Sequence, residues 1–200
     1  MVVKKTKQYK NSKNSKNSNK RYKKKYSRKQ KQSTLQNGGE QLVIEVSYSG
    51  YGVIKNEDNL TGKTNIYSHK PNVNIKMQNA NSNKNKTYLV IMTDPDAPNG
   101  HNNMYSNKNN TYIHWIYLQS LPDSNVNTTL IEYTGPTPPR GTHRYIFSVY
   151  DVTGKQKQTI TELQVITNDN RLDTNKILDK FIKQNNMQPL DTIMYTVTAN

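Results

Sequence analysis

Cysteine is absent from the 200 residues, which excludes a disulfide framework and thiolate metal sites and leaves the redox compartment open. Long apolar runs are missing as well: nothing approaches the ~18–20 residues that a membrane-spanning helix requires. The start of the chain lacks the sustained apolar stretch of a secretory signal. The expectation is therefore a soluble, intracellular protein without a transmembrane segment. No glycine pattern of a phosphate loop or a dinucleotide fold occurs, and no serine stands in a G-x-S-x-G setting. Hydrophobic residues make up only 32%, low for a packed domain.

Acidic residues are missing from one region in particular. Residues 1–39 hold 14 Lys and Arg and no Asp or Glu, whereas the other 161 carry 15 basic and 14 acidic residues. Nearly all of the +15 net charge therefore sits in the first fifth of the chain. Within it, NSKNSKNSNKRYKKKYSRKQKQ (11–32) has low complexity and no apolar periodicity. Such a segment cannot bury enough apolar surface to offset the entropy of ordering, which predicts a disordered basic tail over 1–39. The abundance of lysine and asparagine is what an AT-rich coding genome produces, that of a large DNA virus among them; the protein would then reside in the virion or the host cell.

Residues 40–200 read as one mainly β domain. QLVIEVSY (41–48) alternates with the period of a strand, and YSGYG (48–52) is a turn. NVNIKM (72–77), TYLVIMTD (87–94), TYIHWIYLQ (111–119), HRYIFSVYD (143–151) and DTIMYTVTA (191–199) are further strands, the second dense enough in apolar residues to be buried. One helix is expected, over 173–186, with Asp173 or Thr174 as N-cap and Ile177, Leu178, Phe181 and Ile182 on one stripe. The stretches 79–86, 99–110 and 168–171 read as polar loops. About 160 residues suffice to bury roughly 70% of the chain's surface.

Three stretches concentrate groups capable of binding chemistry. TDPDAP (93–98) ends a buried strand with two carboxylates, Asp94 and Asp96, and two prolines; its plain reading is a turn, and its Ala97–Pro98 bond is one that can adopt cis geometry. In YIHWIYL (112–118), alternation puts Tyr112, His114, Ile116 and Leu118 on one face and Ile113, Trp115 and Tyr117 on the other. In GPTPPRGTHRYIFSVYD (135–151), a loop with three prolines and two glycines runs into a strand where His143 and Tyr145 share a face and Arg144 points the opposite way. A lone histidine near a strand end is more often structural than functional. Together, however, Asp94 or Asp96, His114, His143 and the tyrosines suit a small anion: imidazole N–H groups and loop amides donate, and an aspartate fixes a tautomer or holds an ammonium group. The spacing is not that of a metal site, and no nucleophile is marked.

In this order, LVIMTDPDAP (89–98), YIHWIYL (112–118) and YTGPTPPRGTHRYIFSVYD (133–151) resemble the three signatures of the phosphatidylethanolamine-binding protein family, which includes Raf kinase inhibitor proteins, plant flowering-time regulators, and bacterial and viral homologues. A weaker likeness, through LTGKT…HKPNVNI and a late helix and strand, extends over about 41–198. The resemblance implies a large antiparallel sheet packed on a smaller one, with a helix in the C-terminal region. It also implies a pocket at the sheet edge that accepts phosphate, phosphorylethanolamine or acetate. Carried over by position, Asp94, Asp96, Ala97 and Pro98, then Tyr112 and His114, then His143 and Tyr145 line that pocket, and Pro138 and Pro139 shape its rim. Tyr112 stands where some members carry tryptophan. The tail has no counterpart, and the loop 99–110 departs from the family.

The expectation is a non-catalytic binding or regulatory protein without a cofactor or metal. Its ligand would be a phosphate- or carboxylate-bearing group, from a lipid headgroup or a phosphorylated partner, and the family adds a kinase or a protease as a protein partner. The alternative is that the basic tail dominates and binds nucleic acid or an anionic membrane. Its plain reading is a solubilising appendage or a nuclear-type address. An enzyme using Asp94, His114 and His143 for acid–base chemistry is the weakest reading.

Overall fold

The computed structural model describes residues 41–78, 85–98, 100, 111–121, 127–166, 170–172 and 175–199. The expected tail over 1–39, the helix cap at Asp173 or Thr174 and most of the loop 99–110 lie outside the described residues.

The elements are β1 (Gln41–Tyr48), β2 (Gly52–Val53), β3 (Asp58–Asn59), α1 (Thr64–Tyr67), β4 (Asn72–Gln78), β5 (Lys86–Asp94), β6 (Tyr112–Leu121), β7 (Asn127–Ile131), β8 (Thr142–Asp151), α2 (Gln156–Leu163), α3 (Asn175–Gln184) and β9 (Asp191–Thr198). They form a six-stranded sheet, β3-β9-β8-β5-β6-β7, and a three-stranded sheet, β2-β1-β4. Every pairing is antiparallel except the two-residue contact of β3 with β9. This is the expected mainly β architecture of a large sheet with a smaller one and a late helix.

Two corrections concern what periodicity hides. The sequence suggests one helix, but α1 and α2 also form. In α2, QKQTITEL buries only Thr159 and Leu163, too few for a visible apolar stripe. The late helix, by contrast, buries Leu178 and Phe181, residues of its expected stripe. β7, NTTLI, escapes a pattern search because its first three residues are exposed, as an edge strand allows.

The large sheet is covered on both faces. On one, Ile44, Val46 and Ile75 of the small sheet pack with Val90, Met92, Phe147 and Val149. On the other, Leu89, Ile91, Ile116 and Leu118 meet Leu163 of α2 and Leu178 and Phe181 of α3. That double burial explains why β5 reads as a continuous apolar run rather than an alternation. Asp191 ties the sheets together, since its Oδ2 accepts the backbone N–H of Ile44 at 2.9 Å.

Tyrosine does the work that phenylalanine does elsewhere, with 14 Tyr against 2 Phe. In the inter-sheet core the hydroxyl of Tyr48 lies 2.8 Å from that of Tyr195 and 3.2 Å from that of Tyr133. Burial pushes the Tyr48 phenol up to about 12, against the pull of those two hydrogen bonds. Tyr133 in turn donates to the carbonyl of Tyr67 at 2.5 Å, which fixes α1 against the start of the proline-rich loop.

Candidate functional site

The three stretches converge because β5 is the neighbour of both β6 and β8. Asp94 is the last residue of β5, His114 lies near the start of β6, and His143 is the second residue of β8, so antiparallel pairing brings all three to one end of the sheet.

The pairing of β5 with β6 shifts between Met92 and Thr93: Met92 faces Trp115, but Thr93 faces Ile113. His114 is therefore the extra residue of a β-bulge. The alternation expected for 112–118 breaks there. His114 packs against Tyr145 of the inter-sheet core, and its neighbour Trp115 belongs to the same core, while Ile116 and Leu118 join the opposite one. A bulge re-aims one side chain, and here it lets two successive residues serve one face.

Bulges free backbone carbonyls, and a buried carbonyl needs a donor. Arg171 supplies it. One guanidinium nitrogen donates to the Ile113 and His114 carbonyls at 3.0 and 3.1 Å, and the other donates to Glu132 at 2.9 Å. Its charge also sits 5.9 Å from the centre of the Tyr112 ring. Arg171 belongs to a stretch expected as a polar loop, yet it is 4% exposed. A single arginine among Asn and Asp gives no local signal of that burial.

The proline-rich loop holds both histidines through its carbonyls, one at each end. His114 Nδ1 donates to Thr134 O at 2.6 Å. His143 Nε2 donates to Arg140 O at 3.1 Å, and its Nδ1 donates to Asp94 Oδ2 at 2.6 Å. Both nitrogens of His143 thus face acceptors, the arrangement that suits an imidazolium. Burial opposes its charge, but the Asp94 carboxylate, the Arg140 carbonyl and the charge of Asp96 together hold it above its ordinary range. His114 is the opposite case. Burial, the largest influence, pushes it down to about 4, against the Thr134 carbonyl and the charge of Asp94; Arg171 and His143 push it further down.

The remaining expected residues fall into two groups. Asp96 is engaged by Arg144, whose Nε and second terminal nitrogen each donate at 2.8 Å and whose backbone N–H donates at 3.0 Å. Asp94 Oδ1 accepts the N–H of Asp96 at 2.8 Å, so the two carboxylates are positioned together but hold different cations. Ala97 is buried, Pro98 and Pro139 are exposed, Pro138 is half-buried, and Ala97–Pro98 is cis. The Tyr112 ring lies tilted by 57° with its centre 4.7 Å from that of His114, and the Tyr145 ring meets His114 edge-on at 5.1 Å. The Tyr145 hydroxyl is buried and, among the described residues, has no hydrogen-bond partner. Also among the described residues, no three His, Asp or Glu are grouped to hold a metal ion, and no helix is long and apolar enough to cross a membrane.

This is a two-sheet β protein with a polar, histidine-bearing cluster at one end of its larger sheet. The family model of phosphatidylethanolamine-binding proteins matches residues 50–195, and the chain belongs to that family. It is 27% identical over 117 residues to the protein BROTHER of FT and TFL 1 of Arabidopsis thaliana, across 58% of this chain and 60% of that one. It is 30% identical over 117 residues to CEN-like protein 1 of Nicotiana tabacum, across 58% and 62%. The chain thus spans about 60% of the length of these curated relatives. The fold is shared with a phosphatidylethanolamine-binding protein from Plasmodium vivax, with a TM-score of 0.58, 21% identity, and 80% and 86% of the two chains covered. It is shared too with the carboxypeptidase Y inhibitor complexed with its cognate proteinase, with a TM-score of 0.57, 22% identity, and 80% and 84% covered.

Proposed function

We propose that the protein is a non-catalytic binding protein whose pocket, formed around Asp94, His114, His143 and Tyr145, receives a small phosphate- or carboxylate-bearing group. The observation that carries this reading is the buried Tyr145 hydroxyl, which has no partner among the described residues, beside the His114 ring. An orphaned buried donor costs about 1–3 kcal/mol, and a bound oxyanion would recover it. Ala97, Pro98, Tyr112, Pro138 and Pro139 would contribute the walls, and Asp96 would act through Arg144 rather than on the ligand. His143 would supply fixed positive charge, with both ring nitrogens already committed. That commitment argues against a role as a general acid or base. A kinase or protease partner belongs to the reading at family level; the carboxypeptidase Y inhibitor, with the same fold, is complexed with its cognate proteinase.

The test is to titrate the full chain with inorganic phosphate and with phosphorylethanolamine while following the imidazole NMR signals. About 0.3 M salt would shorten the screening length to roughly 6 Å and suppress loose binding to the basic residues. Shifts of His114 and His143 that vanish in Asp94→Ala are expected. Silence of both rings in the folded wild-type chain would refute the pocket.

The charge asymmetry favours a second, compatible reading. With 14 basic and no acidic residues in 1–39, that segment would bind nucleic acid or an anionic membrane. Replacing Lys23, Lys24 and Lys25 with Gln should lower the salt slope of nucleic-acid binding by roughly 3. An unchanged slope would dismiss the segment as the contact.

A further inference from the structure

His114 has one ring nitrogen engaged by the backbone and one left over. A carbonyl oxygen only accepts, so the 2.6 Å contact with Thr134 O places the ring proton on Nδ1. In the neutral ring Nε2 is then an acceptor. The groups facing this imidazole keep it neutral. Burial dominates, the charges of Arg171 and His143 reinforce it, and the Thr134 carbonyl and the Asp94 charge oppose it. Tyr112 and Tyr145 flank the ring at 4.7 and 5.1 Å without adding charge. Asp94 is bound by His143 and by the Asp96 N–H, and His143 already directs both nitrogens at acceptors. An oxyanion that entered between the Tyr145 hydroxyl and the His114 ring would therefore meet a donor in the first and an acceptor in Nε2 of the second. Two acceptors facing each other need a proton between them.

We propose that the pocket takes its oxyanion together with one proton, held between a ligand oxygen and His114 Nε2, and so selects inorganic phosphate and phosphomonoesters over phosphodiesters. The inference rests on the pocket reading above. A monoester monoanion brings its own O–H, which donates to Nε2 with no exchange with solvent. A monoester dianion, formed above its second pKa of about 6, must gain one proton from solvent on binding. A diester has no O–H at any working pH, so each diester bound draws one proton from solvent onto Nε2. By linkage, diester affinity should fall about tenfold per pH unit from about pH 5 to 8. Monoester affinity should be flat below about pH 6 and fall about tenfold per unit only above it.

The experiment is calorimetric titration of the full chain in about 0.3 M salt, in pairs of buffers with different ionisation enthalpies, near pH 5 and near pH 8. The probes are inorganic phosphate and phosphorylethanolamine on one side, dimethyl phosphate and glycerophosphorylethanolamine on the other. Expected are one proton taken up per diester at both pH values, none per phosphorylethanolamine near pH 5 and one near pH 8. The His114 Nε2 signal of the wild-type chain should move to the pyrrole-like region when a diester binds and stay in the pyridine-like region when a monoester monoanion donates to it, a readout that needs no variant. His114→Gln should abolish the uptake; uptake that persists in a folded H114Q chain belongs to His143 and overturns the proposal. Monoesters and diesters bound equally tightly near neutral pH with no proton uptake also overturn it, while leaving the pocket intact. Tighter binding of glycerophosphorylethanolamine than of phosphorylethanolamine would overturn it in favour of an intact lipid headgroup as the source. Failure of every probe to bind overturns the pocket reading and this inference together.

Discussion

His143 and Asp94 meet across 49 residues of chain, with 2.6 Å between Nδ1 and Oδ2, and both are buried. The pair joins the end of β5 to the start of β8, so it fixes the sheet end on which the other site residues are mounted. The Arg140 carbonyl closes the imidazole from the other side at 3.1 Å. A rigid loop is useful there because its carbonyls at Thr134 and Arg140 each set the orientation of one histidine.

Asp94→Ala should therefore destabilise the protein by about 3–5 kcal/mol near pH 6, the cost of leaving one buried charge of a pair alone. The pH dependence has a definite sign. The folded His143 lies above its ordinary value of 6.5, so the pair's stabilisation is complete below that value and is lost as pH rises through the folded pKa. Denaturant titrations of wild type and D94A at acid and alkaline pH should show the gap narrowing as pH rises. A gap that is constant or widens would be inconsistent with a charged His143.

Arg171→Met should cost about 3 kcal/mol, because the carbonyls of Ile113 and Glu132 lose the guanidinium as donor and that of His114 keeps only the Thr134 N–H. The same change removes a charge that holds His114 down, so the His114 pKa should rise from about 4. Arg171→Lys, which keeps the charge without the fork, should restore most of the pKa but only part of the stability. NMR titration and denaturation together separate the two effects.

Tyr145→Phe is expected to leave the unliganded protein at least as stable as wild type, since it removes a buried hydroxyl with no partner. Affinity for phosphate should nevertheless fall roughly tenfold, the loss of about 1.4 kcal/mol of hydrogen bonding. Thermal melts and phosphate titrations check the two halves. A clear loss of unliganded stability would mean that the hydroxyl is satisfied within the protein.

Gly135→Ala probes the seat of the loop. A Cβ there would lie 2.7 Å from the Tyr67 carbonyl oxygen and 3.0 Å from Ser68 Cα, both backbone atoms that cannot swing aside. A loss of about 1–3 kcal/mol is expected, with a change in the His114 Nδ1 signal, because Thr134 is the adjacent residue. Stability at the wild-type level would show that the loop and the α1 segment move apart freely.

Asp96 and Arg144 should be coupled by about 2 kcal/mol in a double-mutant cycle to Ala, as a two-pronged charge-assisted contact between a buried carboxylate and a largely buried guanidinium. Additive effects would demote the contact to a surface ion pair.

Much of the fold was legible because strand periodicity is a local property. β1, β4, β5, β6, β8 and β9 fall where alternation or dense β-branched runs put them, and α3 where its apolar stripe does. The elements that were missed carry little of that signal: β2 and β3 span two residues each, and α2 buries two side chains. The site residues were legible as types gathered in three motifs. Their roles were less so. Asp94 and Asp96 read alike, yet one holds an imidazole and the other a guanidinium. His114 and His143 read alike, yet burial pushes the first down while a neighbouring carboxylate, against burial, holds the second above its ordinary range.

The two-part charge distribution, the absence of disulfide chemistry, the mainly β architecture and the family follow from composition, from short-range periodicity or from contiguous motifs. Folding settles the rest: that His114 is a bulge residue, that Arg171 binds the carbonyls around it, which acceptors face the histidine nitrogens, and that the Tyr145 hydroxyl finds no partner among the described residues. These depend on hydrogen bonds between residues 20 to 58 positions apart. Such partners are set by how strands pair across a sheet, and no window of local sequence contains both ends of the bond.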